Sequence, residues 1–526
     1  MKRITVLLLA LLLLMGTVSA AFTDESRISA AYLDAVTAMS EKGIIGGFED
    51  GTFRPKDTLT RAQAAKILCT MLAGTPAEKA DFTDVPATHW AAGFVGWCAE
   101  KKIVSGVGGG RFDPAGKLTG CAFAKMLLVA YGHDPEAEGL VGDKWIAGTQ
   151  KAMRTGGLNT GVTVTEEPIE REMACKMAHN FLQYDAIRTA DSAKYKDAAL
   201  SFRDGKNLKL YGRAEALADG VQLNWPGDAV EFTVDCKGEL SLQYQSDESA
   251  YYTCFVDGKE YGRRLKTAAD GTGVLYQLIA PGTHTIRIVR DSEISTKGKS
   301  TLLTGVALSC DAATMQATPR NALYIEAVGA SIEAGCGVLG TNKDKWSSEY
   351  HAGTKSYVYL AAEQLHADYA IVAKGGIGFD TAANGKTAKD MYGYVNPWRD
   401  DTAYSFQRKP DVIICCQGGN DAKTAEDNDQ RFVENTIAFA KLLREKNGNV
   451  PIVFTYNAMH DKHGEGSVRA WEELGGEAQG YYLLKLERGN HGVPAKEGAN
   501  GHPDTADQAV NGKLLADYLQ TILKAR

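Results

Sequence analysis

The 526-residue chain predicts a multidomain protein with three folded parts: a helical triple repeat, a β-sandwich, and an α/β domain built on a parallel sheet. Three observations predict it. A self-similar pattern recurs in the first third, period-two alternation follows, and fully apolar runs bounded by glycine-rich loops fill the remainder. The length is too great for one hydrophobic core and suits several.

The chain begins with Lys2 and Arg3, the apolar run ITVLLLALLLLM and the small-residue triplet Val18-Ser19-Ala20. Residues 1 to 20 therefore read as a secretory signal peptide. Its removal takes away Lys2, Arg3 and no acid, moving the formal net charge from -7 to -9 and giving a nucleic-acid partner no support. No later run approaches the roughly 18 apolar residues of a membrane span. Of the ten cysteines, Cys69, Cys98, Cys121 and Cys175 fall in helical patterns and Cys415 and Cys416 adjoin in an apolar strand, so mostly free, buried thiols are expected.

Residues 21 to 185 hold the repeat. GIIGGFEDGTFRPKDTLTRAQAAKIL (43 to 68) returns as KIVSGVGGGRFDPAGKLTGCAFAKML (102 to 127) and, more faintly, as GGLNTGVTVTEEPIEREMACKMA (156 to 178). Each unit is a helix, a glycine-rich turn, an extended piece and a second helix, and three must pack together because none buries its apolar face alone. Residues 186 to 200 read as a polar connection. The sandwich is expected over 199 to 312, from VEFTV (230 to 234), LSLQY (240 to 244), CFVDG (254 to 258) and HTIRIVR (284 to 290), separated by turn residues.

In 320 to 526, ALYIEAV, ADYAIVA and PDVIICC read as buried strands. After their carboxyl ends, where open α/β sheets place ligands, stand Ser331 in AVGASIEAG, Gly376 in KGGIGFD and Asn420 in GGND. His502, in NGHPD, precedes a closing helix. A serine hydroxyl is a useful nucleophile when an imidazole takes its proton, and the resulting oxyanion needs donors, here the Gly376 N–H and the Asn420 amide with the Ser331 N–H as a third. Trp398, Tyr456 and Trp471 are expected in loops after strand ends, as candidate substrate platforms. HDKH, residues 460 to 463, reads as a polar rim loop rather than a metal site, for want of a third ligand. No cofactor and no metal are implied.

These four blocks resemble the SGNH (GDSL-type) hydrolase superfamily, and KWSSEYHAGTKSYVYLAAEQLHADYAIVAKGGIGF (345 to 379) is similar to carbohydrate esterase family 2. The resemblance implies a flavodoxin-like α/β/α catalytic domain, an N-terminal jelly roll supported by YGRAEALADGVQLNWPGDAVEF, and a Ser331-His502 dyad forming an acetyl-enzyme. Two positions depart from the pattern. Ala330 replaces an aspartate before the serine, and Asn500 replaces one before the histidine. The implied orienting group is Asn500 or a backbone carbonyl near Gly501. The repeats resemble S-layer homology repeats, through Asp-Gly-x-Phe-x-Pro and Thr60-Arg61-Ala62-Gln63. That resemblance implies a helical pseudo-trimer holding the protein non-covalently to acidic secondary cell-wall polymer through Arg61 and Arg171, with Gly120 at the equivalent place in repeat two. The expected protein is a secreted, wall-attached esterase of O-acetylated plant polysaccharides such as xylan or mannan. O-acetylated peptidoglycan or wall polymer as substrate, and a decayed carbohydrate-binding protein, stay open as alternatives.

Overall fold

The computed structural model describes residues 22 to 524, except 78, 156, 191–192, 261–263, 383–384, 400–401, 417, 422–428, 460–461 and 488–497. The signal-peptide segment and His460 lie outside the described residues. Two compact units emerge, one within 22–190 and one within 193–276 and 282–524. No described helix is long and apolar enough to cross a membrane.

In the first unit the extended pieces of the three repeats join in a ring. Leu59 N–H donates to the Ile169 carbonyl, Ile169 N–H to Leu118, and Leu118 N–H back to Leu59, all at 2.9 Å. Just beyond, three helices start: Arg61–Met71, Gly120–Ala130 and Arg171–Thr189. The first two are capped by Thr60 and Thr119 hydroxyls that accept backbone N–H bonds. Each helix spends its orphan N–H groups on another repeat: Arg61 and Ala62 on Gly116 and Pro114, Gly120 and Cys121 on Glu167 and Thr165, Arg171 and Glu172 on Asp57 and Pro55. A shared apolar core around Phe53, Phe112, Phe123 and Phe181 fills the interior.

The second unit begins with ten strands linked in one antiparallel network. They are β1 (Lys196–Ser201), β2 (Lys209–Tyr211), β3 (Glu215–Leu217), β4 (Gly220–Gln222), β5 (Ala229–Ser246), β6 (Ala250–Val256), β7 (Lys259–Glu260), β8 (Leu265–Thr267), β9 (Gly271–Arg290) and β10 (Thr301–Ala317). Two expectations are corrected here. VEFTV and LSLQY are one strand, β5, because Gly238 at φ 81° sits at a register shift against β10 instead of a turn. The polar connection shrinks, since the preceding helix runs to Thr189 and β1 starts at Lys196.

The same unit continues into five parallel strands: β11 (Tyr324–Gly329), β12 (Asp368–Ala373), β13 (Val412–Cys415), β14 (Ile452–Tyr456) and β15 (Tyr481–Lys485), in the order β12-β11-β13-β14-β15. Every residue of β11, β12 and β13 is buried, which is why they read as unbroken apolar runs. The antiparallel part locks onto this sheet through polar groups taken out of water in pairs. Arg213 meets Glu326 at 3.0 Å, Lys209 meets Asp368 at 2.7 Å, and the Trp225 indole N–H donates to the Val395 carbonyl at 2.7 Å. All ten cysteines are free, nine buried and Cys416 half-buried.

Candidate active site

Ser331 follows β11 and is 8% exposed. Its turn is organised by a carboxylate from within: Glu333 accepts the Ala330 N–H at 2.8 Å and the Tyr357 hydroxyl at 2.9 Å. Burial raises the Glu333 pKa above the usual carboxylate range. The side chain that binds the N–H before the serine therefore comes from two residues after it, where Ala330 offers none.

The glycine block after β12 and the asparagine block after β13 are stapled together. Asp421 accepts the N–H groups of Phe379, Asp380 and Thr381 at 2.7 to 2.9 Å. The neighbouring Asn420 amide donates to the Ile377 carbonyl at 2.7 Å, next to Gly376. Asn420 and Ser331 line one cavity of about 90 Å3, with Tyr456, Lys462, His463 and Ser467. Gly376, exposed and at φ 77°, has the left-handed backbone that glycine adopts without strain.

His502 reaches the serine turn through Gly337. Ala499 N–H donates to the Gly337 carbonyl at 2.8 Å, and a Cβ on Gly337 would stand 2.6 Å from the Ala499 oxygen and 3.2 Å from His502 Cβ. Only glycine permits that approach. The ring is 5% exposed and its Nδ1 faces the Ala499 carbonyl at 3.2 Å. The carbonyl that faces the ring is two residues before Gly501, within the stretch where the resemblance implies an orienting carbonyl. Asn500 instead supplies a left-handed backbone, φ 58°, that asparagine tolerates. Burial lowers the His502 pKa below 6.5, and the Ala499 and Asn500 carbonyls and the Glu293 charge partly oppose it. No hydrogen bond joins Ser331 to His502 among the described residues; such pairs often tighten only around substrate.

Sequence reasoning missed Trp346 and Glu293. The Trp346 ring lies 5.2 Å from that of His502 and 4.7 Å from that of His351. Glu293, from the antiparallel part, accepts the Gly375 N–H at 2.6 Å and the Lys374 ammonium at 2.8 Å. Burial opposes its ionisation, yet Lys374 and His351 hold its pKa below the usual value. Glu293, Cys336 and His351 are the described residues whose ligand atoms come within metal-binding reach, 4.8 Å of one another. Lys374 already places a positive charge on that carboxylate, so the donor set fits a resident cation poorly.

The aromatic candidates separate. Tyr456 ends β14 and lines the Ser331 cavity. Trp471 lies inside the helix Gly464–Glu473, not in a strand-end loop, and its indole N–H donates to Tyr481 at 2.9 Å. Trp398 follows the short helix Ala388–Tyr392 and packs 6.3 Å from Trp225. His463 is buried rather than on a rim. In the repeats, Arg61 donates to the Phe112 and Ser105 carbonyls at 2.8 and 2.7 Å, and Arg171, 4% exposed, to Phe53 and Gly46 at 3.0 and 3.2 Å. Arg61 lines a cavity of about 370 Å3 with Lys125 and Trp145, and Arg171 one of about 160 Å3 with Lys66 and Trp90.

Comparison with known proteins agrees with this architecture. The S-layer homology domain model matches residues 21–65 and 81–124, and the carbohydrate esterase 2 N-terminal model matches 210–319. An acetylxylan esterase / glucomannan deacetylase of Cellvibrio japonicus is 26% identical over 318 residues, 56% of this chain and 84% of that protein. A surface layer protein of Brevibacillus choshinensis is 27% identical over 169 residues, 30% of this chain but only 15% of its own length. The acetyl xylan esterase Est2A of Butyrivibrio proteoclasticus shares the fold, with TM-score 0.55 at 20% identity over 63% of this chain and 99% of that one. The chain thus carries S-layer homology repeats followed by a carbohydrate esterase 2 N-terminal domain, is similar over 318 residues to an acetylxylan esterase / glucomannan deacetylase, and shares the fold of a solved acetyl xylan esterase.

Proposed function

We propose that the protein removes acetyl groups from O-acetylated plant polysaccharides such as xylan or mannan by Ser-His catalysis at the cell surface. The observation that carries the reading is the convergence of three strand ends and the His502 loop: Ser331 and Asn420 share a cavity, and the asparagine amide is tied to the glycine block. Ser331 Oγ attacks the acetyl carbonyl while His502 Nε2 takes its proton. The Ser331 and Gly376 N–H groups and the Asn420 amide meet the oxyanion, and His502 returns the proton to the departing sugar oxygen. Water then releases acetate from Ser331 by the same route. A His502 pKa held low by burial keeps the ring neutral and ready as a base at neutral pH.

The ten-stranded part serves as the jelly roll of this enzyme type. The repeats serve as a pseudo-trimer bound non-covalently to acidic wall polymer, with Lys125 and Lys66 beside Arg61 and Arg171 as the free-reaching cations of the two grooves. The test is acetate release from a panel of acetylated xylan, mannan and peptidoglycan, with Ser331→Ala as control. Release from xylan or mannan supports the reading; release from peptidoglycan alone redirects it to the cell's own wall.

A further inference from the structure

Besides His502 and His351, the α/β domain holds another buried imidazole that this chemistry does not use, His463. His463 stands just before the helix Gly464–Glu473, with Nδ1 2.9 Å from Asp429 Oδ1. Its ring lies flat on Phe432, centroids 4.4 Å apart and planes 2° from parallel. The His463 and Asp429 side chains are 6% and 4% exposed. Asp429 sits in the left-handed region at φ 62°, which aspartate, like asparagine, enters more readily than most residues. Gly466 makes room for it, since a Cβ there would meet the Phe432 ring at 2.8 Å and Asp429 Cβ at 3.1 Å.

A carboxylate at Nδ1 selects the tautomer in which Nδ1–H donates and Nε2 is a bare acceptor. That Nε2 is buried and has no hydrogen-bond partner among the described residues. An acceptor left so is costly, and its position shows where the missing donor belongs. His463 lines the cavity that Ser331 and Asn420 line. A water needs about 10 to 15 Å3 of such space, so the cavity of about 90 Å3 takes more than an acetyl methyl.

We propose that the Asp429-His463 pair is a recognition point for a free hydroxyl of the sugar whose ester Ser331 attacks, with Nε2 accepting its O–H. This rests on the esterase reading above. A sugar ester differs from a simple ester in bringing hydroxyls beside the carbonyl, and a fixed, buried acceptor distinguishes the two.

The test compares kcat/KM of the full chain on a monoacetylated methyl xyloside and on analogues with one neighbouring hydroxyl replaced by hydrogen. For wild type, removing the recognised hydroxyl lowers kcat/KM by about tenfold, the usual scale for one buried hydrogen bond. His463→Ala loses a similar factor on the xyloside and nothing further on the matching deoxy analogue, the non-additivity of groups in contact. His463→Gln recovers part of the loss. Should His463→Ala fail to fold, Asp429→Asn keeps the volume and loses the charge, and shows the same pattern with smaller losses. Equal losses on every ester would reduce the pair to a prop for the cavity and overturn the proposal, as would an unchanged xyloside rate. Absence of any Ser331-dependent turnover by wild type is a different result, which removes the esterase reading and this proposal with it.

Discussion

His502 and His463 are both buried imidazoles on the carboxyl side of the same sheet, and they are held in opposite ways. His463 has a carboxylate 2.9 Å from Nδ1, the arrangement of a triad histidine. His502 has a backbone carbonyl at 3.2 Å and feels a carboxylate, Glu293, only at a distance. Yet His502 is the ring that Gly337 brings against the serine turn. In the proposed chemistry the base is therefore picked out by its contact with the serine turn, not by an Asp-His pair. The carbonyls at Ala499 and Asn500 favour the charged ring only in part, and burial outweighs them and the Glu293 charge, so the pKa ends below its usual value.

The comparison can be broken most directly by deletion. Ser331→Ala and His502→Ala should each reduce acetyl-ester turnover by roughly a thousandfold or more, the scale of a lost nucleophile or base. If His463→Ala matched them while His502→Ala did not, the roles of the rings would be reversed.

Glu293→Gln should follow, with a loss of about ten- to a hundredfold, because it weakens the anchor of Gly375 beside Gly376, the proposed oxyanion donor. It also carries a signed pH effect. With His502 as the proposed base the neutral ring is the form that acts, so turnover of wild type should fall with decreasing pH only below 6.5, as the lowered His502 pKa is crossed. Glu293 raises that pKa, so its neutralisation should move the acid limb of kcat/KM to still lower pH. A limb that moved upward would show the carboxylate acting otherwise.

The smallest effect is expected at Asn500→Ala, less than about tenfold or roughly 1.4 kcal/mol. Its side chain is not the partner of Nδ1, and what Ala loses is mainly ease in the left-handed region. A loss equal to that of His502→Ala would make the amide an essential third member. Chain length sharpens the picture from the substrate side: acetate esters should outpace octanoate esters clearly in the same assay, given a cavity of about 90 Å3.

Much of this was legible in the sequence because the physics is local. The repeats announce themselves by similarity, and β11, β12 and β13 by continuous burial. Three of the four blocks lie at strand ends that follow from those runs, and the fourth, with His502, precedes the closing helix. What escaped was set by long-range packing. Glu293 enters the site from another part of the unit, and Asp429 and His463 are 34 residues apart with no spacing to link them. β15, YYLLK, ends in an exposed lysine and lacks the unbroken apolar run of the central strands. Gly238 looked like punctuation between two strands because a bulge and a turn ask the same conformational freedom of glycine.

The ring of Leu59, Ile169 and Leu118 gives the first unit a topology that its chain does not have: the polypeptide is linear, but the cohesion is cyclic. No repeat is first or last in that circuit, so the order in which the three are encoded carries no structural information. A circularly permuted version beginning at the second repeat should fold as the parent does. A version lacking the third repeat leaves the Leu118 carbonyl and the Leu59 N–H each without its mate, two complementary ends on one molecule. Such ends are satisfied by exchange between neighbours, so that truncation should associate in solution more than the intact unit does.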